Sequence, residues 1–297
     1  LSKEEIAANQ LQIDSAIESI TRISNTASFA GLQLLNGSLE YTLSGVATSA
    51  IAGVNVYGAQ FGTASDIPIQ VEVVASAQTA SLFLSGNMAG SPGALTSSVT
   101  LEIAGNKGVQ TVSFISGTPL SAVVAAVNTL KDATGVSAAL VSAANQTSGM
   151  TFSSVGFGSD SFVSVKRIGA GGEFFQTFDE QGGNATNRDK GRDVSAIING
   201  ALAIGEGLRV SLNTPLLSLA MDLTPDFAQT TGSAKSFRIT GGGATFQLGP
   251  SISTTQQTGF GMQSVAASRI GGTDVDNVRY FLDSIRSGQP NSLTSGN

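Results

Sequence analysis

Four pairs of acidic residues stand close enough in sequence to consider acid–base work: Asp179–Glu180, Asp189–Asp193, Asp222–Asp226 and Asp274–Asp276. Two carboxylates flanking one bond are the least that proton-assisted hydrolysis needs. All four pairs lie beside turns or helix starts, where Asp commonly caps backbone amides instead. No other catalytic groups support them. The chain has no His and no Cys, so serine–histidine and thiol nucleophile arrangements are absent and zinc loses its usual ligands. Gly241-Gly-Gly243 is not followed by the Lys-Ser/Thr of a phosphate loop, and a turn accounts for it. The sequence therefore predicts no enzyme and no cofactor.

Two binding chemistries remain. Asp179, Glu180, Asn184, Asn187, Asp189 and Asp193 gather oxygen atoms in a Gly-rich stretch, as a hard cation such as calcium requires. Asp179, Glu180, Asp189 and Asp193 would be its carboxylate ligands. Their spacing matches no known calcium loop, and Arg188, Lys190 and Arg192 partly neutralise them. A solvated polar loop is the plainer account, so no metal is expected. The cations Lys166, Arg167, Arg188, Lys190 and Arg192 could hold an anionic polysaccharide, or be ordinary surface charge. Sugar sites usually stack a ring on Trp or Tyr, and this chain has no Trp and three Tyr.

Composition narrows the classes further. A length of 297 residues suits about two domains. Hydrophobic residues make up 41% and charged residues 12%, which excludes disorder of the highly charged kind. Gly at 36 residues points to many short strands and tight turns. The net charge is −6 with no run of Lys or Arg, so no nucleic-acid footprint is present. No apolar stretch is long enough to span a membrane as a helix. The lack of Cys fits an extracellular protein that avoids stray disulfides, or a chain that had no need of thiols, and it excludes a redox site either way. The chain opens at Leu1 directly in a helical pattern and reads as a fragment.

These groups need elements to position them. Residues 2–27 form the best helix, with Ser2 and Glu5 as a capping box. Ile6, Ile13, Ile20 and Ala27 recur every seven residues with Ile17 between, a narrow stripe suited to packing along another helix. That partner could equally be this chain's own core or a neighbouring subunit. Residues 38–58 read as a hairpin. Val99–Ala104, a turn at Gly105–Gly108 and Val109–Ile115 make another, followed by a helix capped by Thr118 with Pro119 at its first position and ended by Gly135. Val136–Val141 then returns as a strand. Further strands flank Asn199-Gly200, and 236–239 with 245–248 read as a hairpin about the Gly triplet. Thr273–Ser287, with Val275, Val278, Phe281, Leu282 and Ile285, reads as a closing helix.

The outer parts resemble bacterial flagellin. Asn25-Thr-Ala-Ser-Phe29-Ala-Gly31-Leu-Gln-Leu34-Leu35 is similar to the point where flagellin's N-terminal helices end and its hairpin begins. Gly241-Gly-Gly-Ala-Thr-Phe246-Gln-Leu248-Gly249, then Gln256-Gln-Thr-Gly259 and Ser264-Val-Ala, resembles the return toward its C-terminal helix. Val99–Val141 resembles the small β-β-α-β insert of many flagellin and hook proteins.

The resemblance implies an α+β fold. A discontinuous helical rod domain with β-hairpins would come from residues 1–58 and 234–297, and an inserted β-rich domain from 59–233, with the insert-like unit near 99–141. It implies an extracellular structural subunit of a flagellar filament, without both terminal assembly helices and with its exposed domain facing outward. The intact protein would self-assemble through Ile6, Ile13, Ile17 and Ile20, with Phe29, Leu34 and Leu35 at the turn. The alternative is a flagellin-like surface receptor for an acidic polysaccharide.

Overall fold

In a computed structural model, the described residues are 2–29, 31–87, 91–250, 256–275 and 278–295. Helix α1 (Lys3–Thr26) opens the chain with the expected capping box: Ser2 Oγ accepts from Glu5 N, and the Glu5 carboxylate accepts from Ser2 N. A two-residue hairpin of β1 (Ser28–Phe29) and β2 (Leu32–Gln33) follows. Three longer strands come next: β3 (Tyr41–Ser44), β4 (Ile51–Ala59) and β5 (Ile67–Ala75).

The chain then leaves for a separate lobe. Its elements are β6 (Thr79–Leu84), β7 (Val99–Gly105), β8 (Gly108–Phe114), α2 (Leu120–Thr129), α3 (Lys131–Thr134), β9 (Val136–Leu140), β10 (Met150–Phe157), β11 (Phe162–Ile168), β12 (Thr177–Phe178) and β13 (Arg188–Lys190). They form two four-stranded sheets, ordered β12-β6-β10-β9 and β13-β11-β7-β8. Strict alternation along β7 turns Val99, Leu101 and Ile103 inward. The apolar positions of α2, Leu120, Val123 and Val127, complete that core with Phe152 and Met150. Gly135, at φ +76°, ends the helical stretch as the sequence implies. Pro119, rather than Thr118, occupies the cap position; Thr118 Oγ1 bonds the Ile115 carbonyl instead. Strand β9 of the expected β-β-α-β unit joins the sheet opposite β7 and β8.

The chain returns through β14 (Ser195–Ile198), β15 (Ala201–Glu206), β16 (Arg209–Asn213), β17 (Leu217–Leu223), the short α4 (Pro225–Gln229) and β18 (Ala234–Gly242). Asn199 and Gly200 both take positive φ and join β14 to β15, as a two-residue hairpin turn demands. These strands complete an eight-stranded sheet ordered β3-β18-β5-β14-β15-β16-β17-β4. Its inner face is a second, independent core around Ile51, Ile69, Val71, Ile198, Met221 and Ile239. Two small hairpins follow, β19 (Ala244–Gln247) with β20 (Gln257–Phe260) and β21 (Thr273–Val275) with β22 (Val278–Tyr280).

The outermost strands of this sheet meet. Tyr41 on β3 is buried, and its hydroxyl accepts from Ala59 N on β4 at 3.0 Å. The chain after β20 bridges the same seam: Gly261 N bonds the Tyr57 carbonyl and Met262 N the Leu39 carbonyl. The sheet is thereby rolled into a nearly closed barrel.

The expected α+β fold with a discontinuous helical rod is overturned. Strands account for 42% of the chain and helices for 18%, and no helical rod is present among the described residues. The expected 58/59 boundary falls inside β4 and the 233/234 boundary immediately before β18. Neither outer hairpin forms. Strand β3 pairs with β18 and β4 with β17, so residues 38–58 supply opposite ends of the sheet. Strand β18 pairs with β3 and β5 rather than with β19. The Gly triplet explains this. A Cβ on Gly242 would lie 2.2 Å from the Glu40 carbonyl, and one on Gly243 2.6 Å from the Tyr41 ring. The glycines let the chain cross tightly over β3. The closing helix is also absent: 273–275 and 278–280 form antiparallel strands and 282–285 a single 3₁₀ turn, with residues 276 and 277 outside the described set. Gly271-Gly272 and the β-branched Thr273, Val275 and Val278 favour strand over helix there.

Replacing Tyr41 by Phe removes the seam hydroxyl and leaves Ala59 N without its partner. The variant is expected to lose about 1–2 kcal/mol of stability with the ring packing intact, read as a lower denaturant midpoint with an unchanged slope.

Candidate functional site

The stripe on α1 is the most extended surface that the sequence assigned a role, and seven positions build it: Ile6, Gln10, Ile13, Ile17, Ile20, Ser24 and Ala27. Gln10 and Ser24 complete the alternating four-three spacing, and both are buried. Apolar counting passed over them because they are polar. Their hydrogen bonds explain the burial. Gln10 Nε2 donates to the Ile285 carbonyl at 2.9 Å, and its Oε1 accepts from Leu293 N at 2.8 Å. Ser24 Oγ donates to the Leu35 carbonyl at 2.7 Å. Asp14, one turn on from Gln10, accepts from Ser287 N and Ser287 Oγ. The two ends of the chain therefore lie together, as a helix and an irregular segment rather than as paired helices.

That segment covers the stripe only in part. Ile17 is 2% exposed, while Ile6, Ile13 and Ile20 remain half-buried. Off the stripe, Leu11 is 66% and Ile23 51% exposed, and the β1–β2 hairpin presents Phe29 at 70% and Leu32 at 57%. Leu34 and Leu35 are half-buried where the hairpin returns: Leu34 N bonds the Ala27 carbonyl, and the Leu35 carbonyl accepts from Val265 N.

The carboxylates proposed for calcium serve other ends. Asp193 accepts from Ser159 Oγ, Ser159 N and Gly207 N, tying the lobe's 157–161 loop to the barrel turn between β15 and β16. The Ser159 hydroxyl, with the two amides, holds its carboxyl below the ordinary range against a smaller opposing effect of burial. Asp179 is desolvated, which opposes ionisation, but the Asn184 side chain and the amides of Asn184 and Glu180 outweigh this and lower it. Asp189 accepts from Ser81 N on β6. Among the described residues no group of three or more acidic side chains is placed to share a metal ion. The other acidic pairs are also separated. Asp222 pairs with Arg209, and Asp226 lies in the first turn of α4; the side chain of Asp274 and all of residue 276 fall outside the described set.

The five cations divide. Lys166 and Arg167 line a cleft of the lobe of about 590 Å³. Arg188 lies 4.2 Å over the ring of Phe162. Lys190 stands on β13 opposite Phe162, and Arg192 bridges Gln78 where the lobe joins the barrel. Among the described residues no helix is long and apolar enough to cross a membrane.

Asp14 and Asp193 both titrate below the unfolded value; for Asp14 the Ser287 hydroxyl is the leading cause. A carboxyl so depressed contributes stability that is present above about pH 4 and lost as pH falls through its folded value. Asp193→Asn is expected to lower the melting temperature by roughly 2–5 °C at neutral pH. The gap to wild type should narrow on acidification to about pH 3, below the unfolded carboxyl range. Added calcium is expected to leave the melting temperature unchanged; a rise of several degrees would reverse that expectation.

No family model matches this sequence, and no curated protein matches it. Among solved structures the chain is similar to the D1–D2–D3 domains of the flagellar cap protein FliD from Escherichia coli, at 17% identity and a TM-score of 0.43. That match covers 80% of this chain and 64% of the other, so it spans less than two thirds of that structure's length. The D2–D3 domains of the same protein match at 17% identity and a TM-score of 0.44, covering 67% of this chain and 97% of the other. The cap protein from Bdellovibrio bacteriovorus matches at 18% and 0.41, covering 67% and 100%. These structures are flagellar cap proteins rather than flagellins, and at such values the likeness carries no argument about activity or partner.

Proposed function

We propose that this chain is a non-catalytic structural subunit of an extracellular bacterial flagellar assembly, flagellin-like in sequence. Its barrel and inserted lobe face outward, and its terminal region makes the subunit contacts. The resemblance to flagellin around 25–35, 241–249 and 256–266 motivates the reading. One observation carries it: α1 is only partly covered by its own chain. Three of its four stripe isoleucines stay half-buried, and Leu11, Ile23, Phe29 and Leu32 are more than half exposed. A long helix that exposes Ile23 beside its packed stripe and Leu11 on its far side, next to the exposed Phe29 and Leu32, has apolar surface for a neighbour to cover. Contacts that repeat head to tail without closing build a filament or tube.

The lack of Cys makes any introduced thiol a unique reporter. Leu11→Cys and Phe29→Cys, treated with a short bismaleimide at high protein concentration, are expected to give dimers and higher species. Gln181→Cys on the lobe should stay monomeric. Equal linking at all three positions, or none at Leu11 and Phe29, would remove the assembly reading.

A further inference from the structure

Three clefts of the inserted lobe are linked by shared lining residues. The largest, about 590 Å³, lies between the end of β11 and the segment around β12, with Lys166 and Arg167 on its wall. Gln176 lines it and also lines a second cleft of about 310 Å³, which Phe174 and Phe178 flank. Phe178, Ser85 and Asn87 belong both to the second cleft and to a third of about 360 Å³. The shared residues set the three clefts side by side along the lobe, together termed the groove.

The chemistry of the groove differs from that of the molecule. The chain carries 21 acidic against 15 basic residues, yet among the described residues no Asp or Glu lines any of the three clefts. Asp179 is bonded to the amides of Glu180 and Asn184, and Glu102, which stands directly opposite Lys166 on the same face of the sheet, is not among the lining residues. Arg167 gives one N–H to the Gly171 carbonyl and keeps its others. The clefts therefore offer Lys166 and Arg167, successive residues of β11, at one end, amide and hydroxyl groups along their length, and four phenylalanines, of which Phe174 and Phe178 are half-buried and Phe83 and Phe175 buried.

Such a groove suits an extended polymer that is rich in oxygen atoms and negatively charged. A compact apolar ligand would leave most of these polar groups unpaired. We propose that the inserted lobe binds an acidic polysaccharide here. Carboxylate sugars would meet Lys166 and Arg167 through charge-assisted hydrogen bonds. Sugar hydroxyls would bond Gln176 and Asn87, and ring faces would lie on Phe174 and Phe178. Arg188, Lys190 and Arg192 take no part.

Calorimetric titration of the full chain tests this, with hexagalacturonate, maltohexaose and hexaglutamate as probes at low and moderate salt. Hexagalacturonate is expected to bind, more weakly as salt rises, and about tenfold or more tightly than either other probe. The double variant Lys166→Gln/Arg167→Gln is expected to weaken it by about tenfold or more. Gln176→Glu should do the same, because it sets a carboxylate at the junction of two clefts from an exposed position. Lys190→Gln should change nothing. The proposal fails if hexagalacturonate gives no heat of binding, or if hexaglutamate binds as well. It also fails if Lys190→Gln weakens binding as much as the double variant, which would mean diffuse surface charge. Its failure leaves the contacts of α1 untouched, since those are read by cross-linking.

Discussion

An eight-stranded sheet with two free edges would present two rows of unpaired amides and carbonyls to water or to another chain. In this molecule the seam between β3 and β4 covers part of both edges. The buried Tyr41 hydroxyl takes the Ala59 amide, and the chain at 261–262 bonds carbonyls on both sides. Closure needs glycine at the crossing. A Cβ on Gly261 would stand 2.5 Å from the Tyr41 ring, and one on Gly259 2.8 Å from the Ala59 carbonyl. The barrel therefore depends on a segment from near the chain's end, and the terminal region is fixed to it rather than free.

Everything else is arranged around that closure. The lobe enters between β5 and β14, which are neighbours in the barrel, so an insertion of more than a hundred residues leaves the sheet unbroken. Asp193 and the Gln78–Arg192 bridge tie the two modules where they join. Each module has its own apolar cluster, so a change in the lobe's surface need not disturb the barrel.

Helix α1 is bound to its partner by polar groups at positions that a heptad would fill with apolar ones. Gln10 reaches two backbone groups of the tail, and Ser24 reaches the Leu35 carbonyl. Buried polar groups of this kind cost stability unless every one is paired, and they fix one axial alignment when they are. The tail bonds the helix at Gln10 and Asp14 and leaves Ile6, Ile13 and Ile20 half-buried.

The capping box of α1, the Asn199-Gly200 turn, the hairpin of β7 and β8 and the Gly135 stop were legible in the sequence because each rests on neighbours a few residues apart. The heptad of α1 was half legible: its isoleucines could be counted, but Gln10 and Ser24 reveal themselves only through bonds to residues 11 to 283 positions away. The same holds for the site. The sequence supplied Lys166 and Arg167 within a larger set of cations, but only the folded lobe separates them from Arg188 on its Phe162 ring and brings Phe174 and Gln176 beside them. Strand pairing was decided by the tertiary structure alone. A strand's alternation says which side faces a core, and nothing in it names the partner. Residues 38–58 and 236–248 carry good hairpin patterns, yet closing a barrel buries more apolar surface than two separate hairpins could, and that long-range gain overrode the local pattern.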